Sequence, residues 1–455
     1  MYRYNHFSRG LEVLGLLVFS SVGLSADDWP QWLGERRDGV WRESGIVESF
    51  PEEGLPVVWR QKMGSGYSGP AIAKGRLFVM DREAKAFDPK EAPEGNPNFV
   101  RVQLPGTERV RCLDEKTGDI LWEISYESVY STAFPYAIGP RCTPTVDGER
   151  VYTLGAEGHL KCLSVVSGEE LWGLDLRVSH KVKVPHWGFA AHPLIDGDRL
   201  ICMVGGADSA VVAFDKMTGK ELWRAGAAED PGYCPPVIYT LGGERQLVTW
   251  DSLNVNGIDP ESGRVFWSIP FPPTYGMSIG MPRREGNRLF VMSFNRVSGM
   301  IEVGNDGRSA QLAWKGGVKT GVGGVLNTAW IEEGHIYASG NRGEYRCVEL
   351  ATGKRVWDND LPTRNREGKR GTSWPSTFTV KHEPSGRFFL ANDHGELMIA
   401  SLSPDGYEEI SRTFLIEPTH LVGGRYLVWS HPAFANRRAF IRNDREIVCF
   451  DLSLK

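Results

Sequence analysis

Five segments of the chain repeat one eleven-residue pattern: "CLDEKTGDILW" (112–122), "CLSVVSGEELW" (162–172), "AFDKMTGKELW" (213–223), "GIDPESGRVFW" (257–267) and "CVELATGKRVW" (347–357). Numbered from Cys112, position 7 is Gly118, Gly168, Gly219, Gly263 and Gly353, and position 11 is Trp122, Trp172, Trp223, Trp267 and Trp357. A weaker copy, "ASLSPDGYEEI" (400–410), keeps Gly406 and ends on Ile410; another, "GNDGRSAQLAW" (304–314), keeps Trp314 but loses the glycine register. Self-similarity with a period of roughly 45–50 residues restricts the fold to a propeller or a solenoid.

Each repeated position has a physical reason. Apolar residues alternate before and after the turn, which reads as two strands. Between them the Asp or Ser side chain can accept from turn N–H groups, and glycine takes the positive-φ residue that closes the hairpin. Position 1 is small (Cys112, Cys162, Ala213, Gly257, Gly304, Cys347, Ala400), leaving room for the tryptophan ring. Cys112, Cys162, Cys347 and Cys449 occupy this slot and read as small buried hydrophobes, not disulfide partners; Cys142, Cys202 and Cys234 have no assignment. A second hairpin, such as "PTVDGERVYTLG" (144–155), precedes each repeat, so each unit is a four-stranded antiparallel blade.

Seven outer-strand tryptophans (Trp59, Trp122, Trp172, Trp223, Trp267, Trp314, Trp357) and Ile410 count eight blades. The chain stops at Lys455 after the third strand of a blade and begins with an unaccompanied fourth strand, "PVVWRQKM" (56–63). The expectation is an all-β, eight-bladed β-propeller over 56–455 whose last blade is closed by the N-terminal strand, which leaves no open sheet edge. Residues 27–55 are then a lead-in segment.

Residues 1–26 read as a signal peptide. Arg3 and Arg9 precede the apolar run "LEVLGLLVFSSVGL" (11–24), and small residues follow to Ala26. A membrane anchor is the weaker reading, because the run is short and contains Glu12. The mature chain is expected to be exported, periplasmic or secreted, and soluble, with no membrane span. Losing Arg3, Arg9 and Glu12 takes the 52 basic and 57 acidic residues to 50 and 56, a formal charge of −6. That surface excludes nucleic acid as a natural partner.

The motif small-x-Asp-x-x-Thr-Gly-x-x-x-Trp resembles the repeats of pyrroloquinoline-quinone (PQQ) dehydrogenase-type propellers. The opening "DWPQWLGERRDGVW" (28–41) is similar to the start of a set of secreted PQQ-like repeat proteins of planctomycete type, and the BamB-like propellers are a more distant resemblance. The resemblance implies the eight-bladed plan but is shared by enzymes and scaffolds. The dehydrogenases it resembles hold the quinone between a tryptophan and a disulfide of adjacent cysteines, with calcium and a catalytic aspartate. This chain has no adjacent cysteines, and no calcium set matches residue by residue, so no catalytic residue and no cofactor are assigned.

Loops between blades, and between second and third strands, share one face around the channel. They place Tyr67, Arg141, His186, His192, Tyr233, Tyr275, Asn327, Trp374 and His431 at its mouth. Either these residues bind a ligand or they pack the ends of the inner strands. The long insertion "KAFDPKEAPEGNPNF" (85–99) belongs to the same face. Lys181, Lys183, Arg283, Arg284 and "RNREGKR" (364–370) make several of these loops basic. This reads as a solvated face first and a site for an anion second.

Specific catalytic signatures are missing. "GSGYSG" (64–69) leads to Pro70 and a strand, not to a helix, which excludes a dinucleotide fingerprint. His180, His186 and His192 lack a cysteine or carboxylate at metal-ligand spacing, so no metal site is assigned. No serine nucleophile is assigned. The reading is a secreted, non-catalytic binding or scaffold module that meets a protein or glycan partner on its channel face. The alternative is a PQQ-dependent oxidoreductase, with calcium, whose site has diverged. The oligomeric state is left open.

Overall fold

The computed structural model describes Met1 and residues 27–454, apart from 86–92, 97, 296, 318 and 370–373. The residues expected to form the signal peptide lie outside it, except Met1. Eight blades follow one another along the chain, seven of them built on four sequential antiparallel strands ordered from channel to rim. Blade 1 comprises Ala71–Ala73, Arg76–Ala84, Gly106–Asp114 and Ile120–Glu127. Blades 2 to 7 begin at Thr145, Leu194, Val237, Arg283, Trp330 and Thr377. Blade 8 has Ala433–Ala435, Arg438–Arg442 and Glu446–Asp451, and its outer strand is Val57–Lys62 from the far end of the chain, paired antiparallel. The eight-bladed propeller closes on its N-terminal strand.

The eleven-residue repeat turns out to be a staple between blades. The indole Nε1 of Trp59, Trp122, Trp172, Trp223, Trp314 and Trp357 donates to the carbonyl of Glu115, Val165, Lys216, Pro260, Leu350 and Ser403 respectively, at 2.8–3.1 Å. Each acceptor is position 4 of the next repeat. The ring also lies flat on the next repeat's glycine. A Cβ on Gly118, Gly168, Gly219 or Gly263 would sit 2.6–2.7 Å from the preceding blade's tryptophan, and these glycines have φ between 72° and 77°. The glycine thus serves the turn and the seam at once. The turn itself forms as expected, with Asp114 and Asp215 accepting from the backbone N–H two and three residues on.

One tryptophan seam departs from the pattern. Trp267 donates to Gln246 Oε1 in its own blade, and Gln246 Nε2 donates in turn to the carbonyl of Gly307, position 4 of the following copy (304–314). In that copy Trp314 faces Met300, not the small Gly304. Elsewhere the small position does face the ring, as in Cys112 opposite Trp122 and Ala213 opposite Trp223. All seven cysteines are free and buried, Cys142, Cys202 and Cys234 included.

The seam can be tested with two glycines of the same blade. Gly168→Ala combines a left-handed φ with a Cβ driven into Trp122, and should cost roughly 2–4 kcal/mol. Gly148→Ala, at φ 58° with nothing within 4 Å, should cost about 1–2 kcal/mol from backbone conformation alone. Equal losses in denaturant titrations would remove the staple from the account.

The lead-in does not lie outside the ring. Trp29 bridges to Ile72 of blade 1, the Pro30 carbonyl accepts from Val146 of blade 2, and Arg37 donates to the carbonyls of His192 and Pro193 before blade 3. Arg283 of blade 5 donates to the Asp38 carbonyl, and Val40–Trp41 adds a parallel strand to blade 7. Residues 29–41 therefore fill the channel on the side away from the inter-blade loops. Leu33 and Arg37 adopt positive φ to turn inside it.

Candidate functional site

Above the lead-in the channel opens into a cavity of about 450 Å³. Its floor is Trp32, whose ring stacks on His192 (centroids 4.7 Å, 11°) and meets His431 edge-on at 5.6 Å. Its walls come from the loops entering each innermost strand, joined in blades 1 and 5 by the loop between the second and third strands. Of the residues expected at the mouth, Tyr67, Arg141, His192, Tyr233, Tyr275, Trp374 and His431 line this one cavity. His186 and Asn327 do not. His186 stands behind the wall against Phe99 and Trp187, and Asn327 is buried with its Nδ2 donating to the Ser339 carbonyl.

Several lining residues escaped the sequence reading: Trp32, Asn96, Asn98, Phe99, Tyr136, Trp187, Phe294, Asn295 and Trp429. Tyr136, Trp187 and Trp429 lie in the loops already identified, where a neighbour was chosen instead. Asn96, Asn98 and Phe99 come from the end of the long insertion; residues 86–92 and 97 of it lie outside the described residues. Tyr136 Oη donates to Asn98 Oδ1 at 2.7 Å, and Arg101 donates to the carbonyls of Val184 and Pro185, which ties this end of the insertion across the mouth.

The rim is a chain of rings. Trp187, Phe99, Tyr275, Phe294 and Trp374 follow one another at centroid distances of 5.8, 5.1, 6.3 and 6.3 Å, the range in which aromatic pairs attract. On the other side Trp429 stacks on Tyr136 (6.4 Å, 11°) and tilts against Tyr67 at 6.2 Å. Tyr275 is 61% exposed. Tyr275, Asn295 and Trp374 all have φ near +60°, a conformation that costs bulky side chains free energy and that folded proteins retain mainly at functional sites.

Residues 106–367, more than half of the sequence, match the family described as outer membrane protein assembly factor BamB. The chain belongs to the BamB family. A BamB from Kangiella koreensis is 24% identical over 135 residues, which are 28% of this chain and 31% of that protein. Quinohemoprotein alcohol dehydrogenase ADH-IIG from Pseudomonas putida is 26% identical over 125 residues, 25% of this chain and 16% of that protein. The match spans less than a third of either relative. Among solved structures, BamB from Moraxella catarrhalis aligns with a TM-score of 0.52 at 14% identity, over 87% of this chain and 97% of its own. The computationally designed Ika8 protein gives 0.52 at 11% identity, over 88% and 100%. These likenesses speak for the fold alone.

In this BamB-family propeller the mouth is electrically quiet. Burial holds His192 well below the ordinary imidazole range and pushes His431 down to about 3, so both are neutral at pH 7. His192 Nδ1 accepts from the Thr143 N–H, which fixes its tautomer. The basic loops are neutralised locally: Lys183 pairs with Glu229, Arg364 with Asp360 and Lys369 with Glu367. Arg283 and Arg284 sit on the innermost strand of blade 5 and bond to the carbonyls of Asp38, Thr240 and Gly286, away from the mouth. His180, His186 and His192 do not converge, since His180 pairs with Glu221. Among the described residues no helix is long and apolar enough to cross a membrane, and no three His, Cys, Asp or Glu gather as metal ligands.

Proposed function

We propose that the protein is a non-catalytic binding module, exported from the cytoplasm, that takes its ligand in the aromatic cavity of the channel face. The observation that carries this reading is the strained rim. Tyr275 and Trp374, two bulky aromatics at positive φ, flank Phe294 over a preformed concavity. Packing the ends of the inner strands would not require an exposed ring in that conformation. The family's description as an assembly factor supports a binding role over a catalytic one.

The name of the Pseudomonas putida relative raises the quinone alternative, and the residues present do not fit it. PQQ carries three carboxylates, whereas Arg141 is the single cation among the described residues that line the cavity. No described lining residue is a carboxylate that could hold calcium or accept a proton. The seven cysteines are free and dispersed, with none beside another.

A thermal-shift screen of the purified protein against small molecules, glycans, and PQQ with Ca²⁺ tests the reading. A ligand at 100 times its Kd should add about 2.7 kcal/mol and raise the midpoint. Tyr275→Ala and Trp374→Ala should each weaken it roughly tenfold, the value of one lost ring contact, with the ligand-free midpoint nearly unchanged. Hits that survive both substitutions, or a saturable shift from PQQ with Ca²⁺ alone, would refute the proposal.

A further inference from the structure

Arg141 is the one charged side chain among the described residues that line the cavity. It belongs to the loop entering blade 2. Its Nη1 donates to the Gly139 carbonyl at 2.9 Å and its Nη2 to the Tyr136 carbonyl at 2.5 Å, while the guanidinium carbon lies 5.1 Å from the Tyr67 ring. Two carbonyls and a ring face thus hold the group in place, and no described carboxylate comes within 4 Å of it. A guanidinium has five N–H donors, and two of them are committed here. A partly desolvated cation without a counter-charge is costly, and at this height of the channel an anion from outside the chain would complete it.

The remaining polar groups set limits on that anion. His192 and His431 are neutral, Tyr136 Oη donates to Asn98, and Tyr67 Oη is paired with His420 Nε2 at 2.8 Å. One cation among the described residues of the lining matches a single negative charge. Much of the remaining lining is ring faces: Trp429 and Tyr136 stacked beside Arg141, and Tyr275 with Phe294 across the mouth. Asn96, Asn98, Asn295 and Thr328 add uncharged polar groups to the lining, but a neutral sugar would leave the Arg141 guanidinium without a counter-charge. A volume of about 450 Å³ admits a molecule of two or three fused rings.

We infer that the cavity binds a flat aromatic monocarboxylate, with its carboxylate on Arg141 and its rings between the aromatic walls. This rests on the binding-module reading above and names its ligand class.

Titration calorimetry of the purified protein with 2-naphthoate, 2-naphthylmethanol, 2-naphthylmethylammonium and cellotetraose tests it. Naphthoate should bind at least about tenfold more tightly than the alcohol, the value of one charge-assisted pair, and the ammonium should not bind. Arg141→Met should bring naphthoate down to the alcohol's affinity, leave the alcohol unchanged, and be partly rescued by Arg141→Lys. If Arg141→Met fails to fold, the comparison of acid with alcohol on the unmodified protein decides alone. Equal binding of acid and alcohol, or binding of the ammonium or the tetrasaccharide at the naphthoate site, overturns the ligand class and leaves the binding-module reading standing. Failure of all four probes overturns the class, and failure of the wider screen as well overturns both.

Discussion

Trp32→Ala should destabilise the protein by about 3–5 kcal/mol, the range for deleting a buried large aromatic. The ring is 4% exposed and packs with Leu33 against Cys234, Val237 and Trp250 of blade 4. It stacks on His192, and the Arg37 guanidinium carbon lies 5.6 Å from its ring centre. Arg37 depends on the same arrangement: its Nη atoms reach two carbonyls before blade 3, and burial lowers its pKa to about 10. Loss of the indole would also join the mouth cavity to the small space beneath it, which Trp32 lines as well. Ligand affinity should therefore fall together with stability, while Trp32→Phe retains most of both. Guanidinium titrations give the stability. A loss under about 1 kcal/mol, well below the large-to-small range, would mean that the lead-in rests on the propeller without being part of its core.

Acid should weaken the fold well before the carboxylates titrate. Burial pushes His420 down to about 4 and His431 down to about 3, and holds His192 well below its ordinary value. The unfolded chain binds these protons near pH 6.5. Below that pH the unfolded state is protonated and the folded state is not, so stability falls as pH drops from about 6.5 toward the folded-state values. At pH 5 His420 and His431 each cost about 2 kcal/mol. His431→Gln should shrink the difference in unfolding free energy between pH 7 and pH 5 by that amount. Comparing the two proteins isolates one imidazole from buried carboxylates such as Glu157 and Asp251, whose raised pKa acts in the opposite direction. An unchanged pH profile would place His431 in contact with water.

What the sequence determined by itself is the blade. Period-2 alternation, Asp or Ser before the turn, glycine inside it and tryptophan after it are local requirements, and each leaves a mark at a fixed spacing. Even the closure by Val57–Lys62 was legible, because an unpaired strand at one terminus and a three-stranded blade at the other must meet. Seven of the nine residues expected at the mouth line the cavity for the same reason, since the loop before each innermost strand has to reach the channel. Only the tertiary structure decided which residue of each loop turns inward: Trp187 lines the cavity while the adjacent His186 stands behind it. It alone showed that residues 29–41 fill the channel, because that segment has no periodicity and its contacts lie up to 405 residues away, as between Trp29 and Phe434. It also gave the repeat tryptophan its partner. That ring's donor and the glycine beneath it meet across a seam between blades, and a seam exists only once the ring has closed.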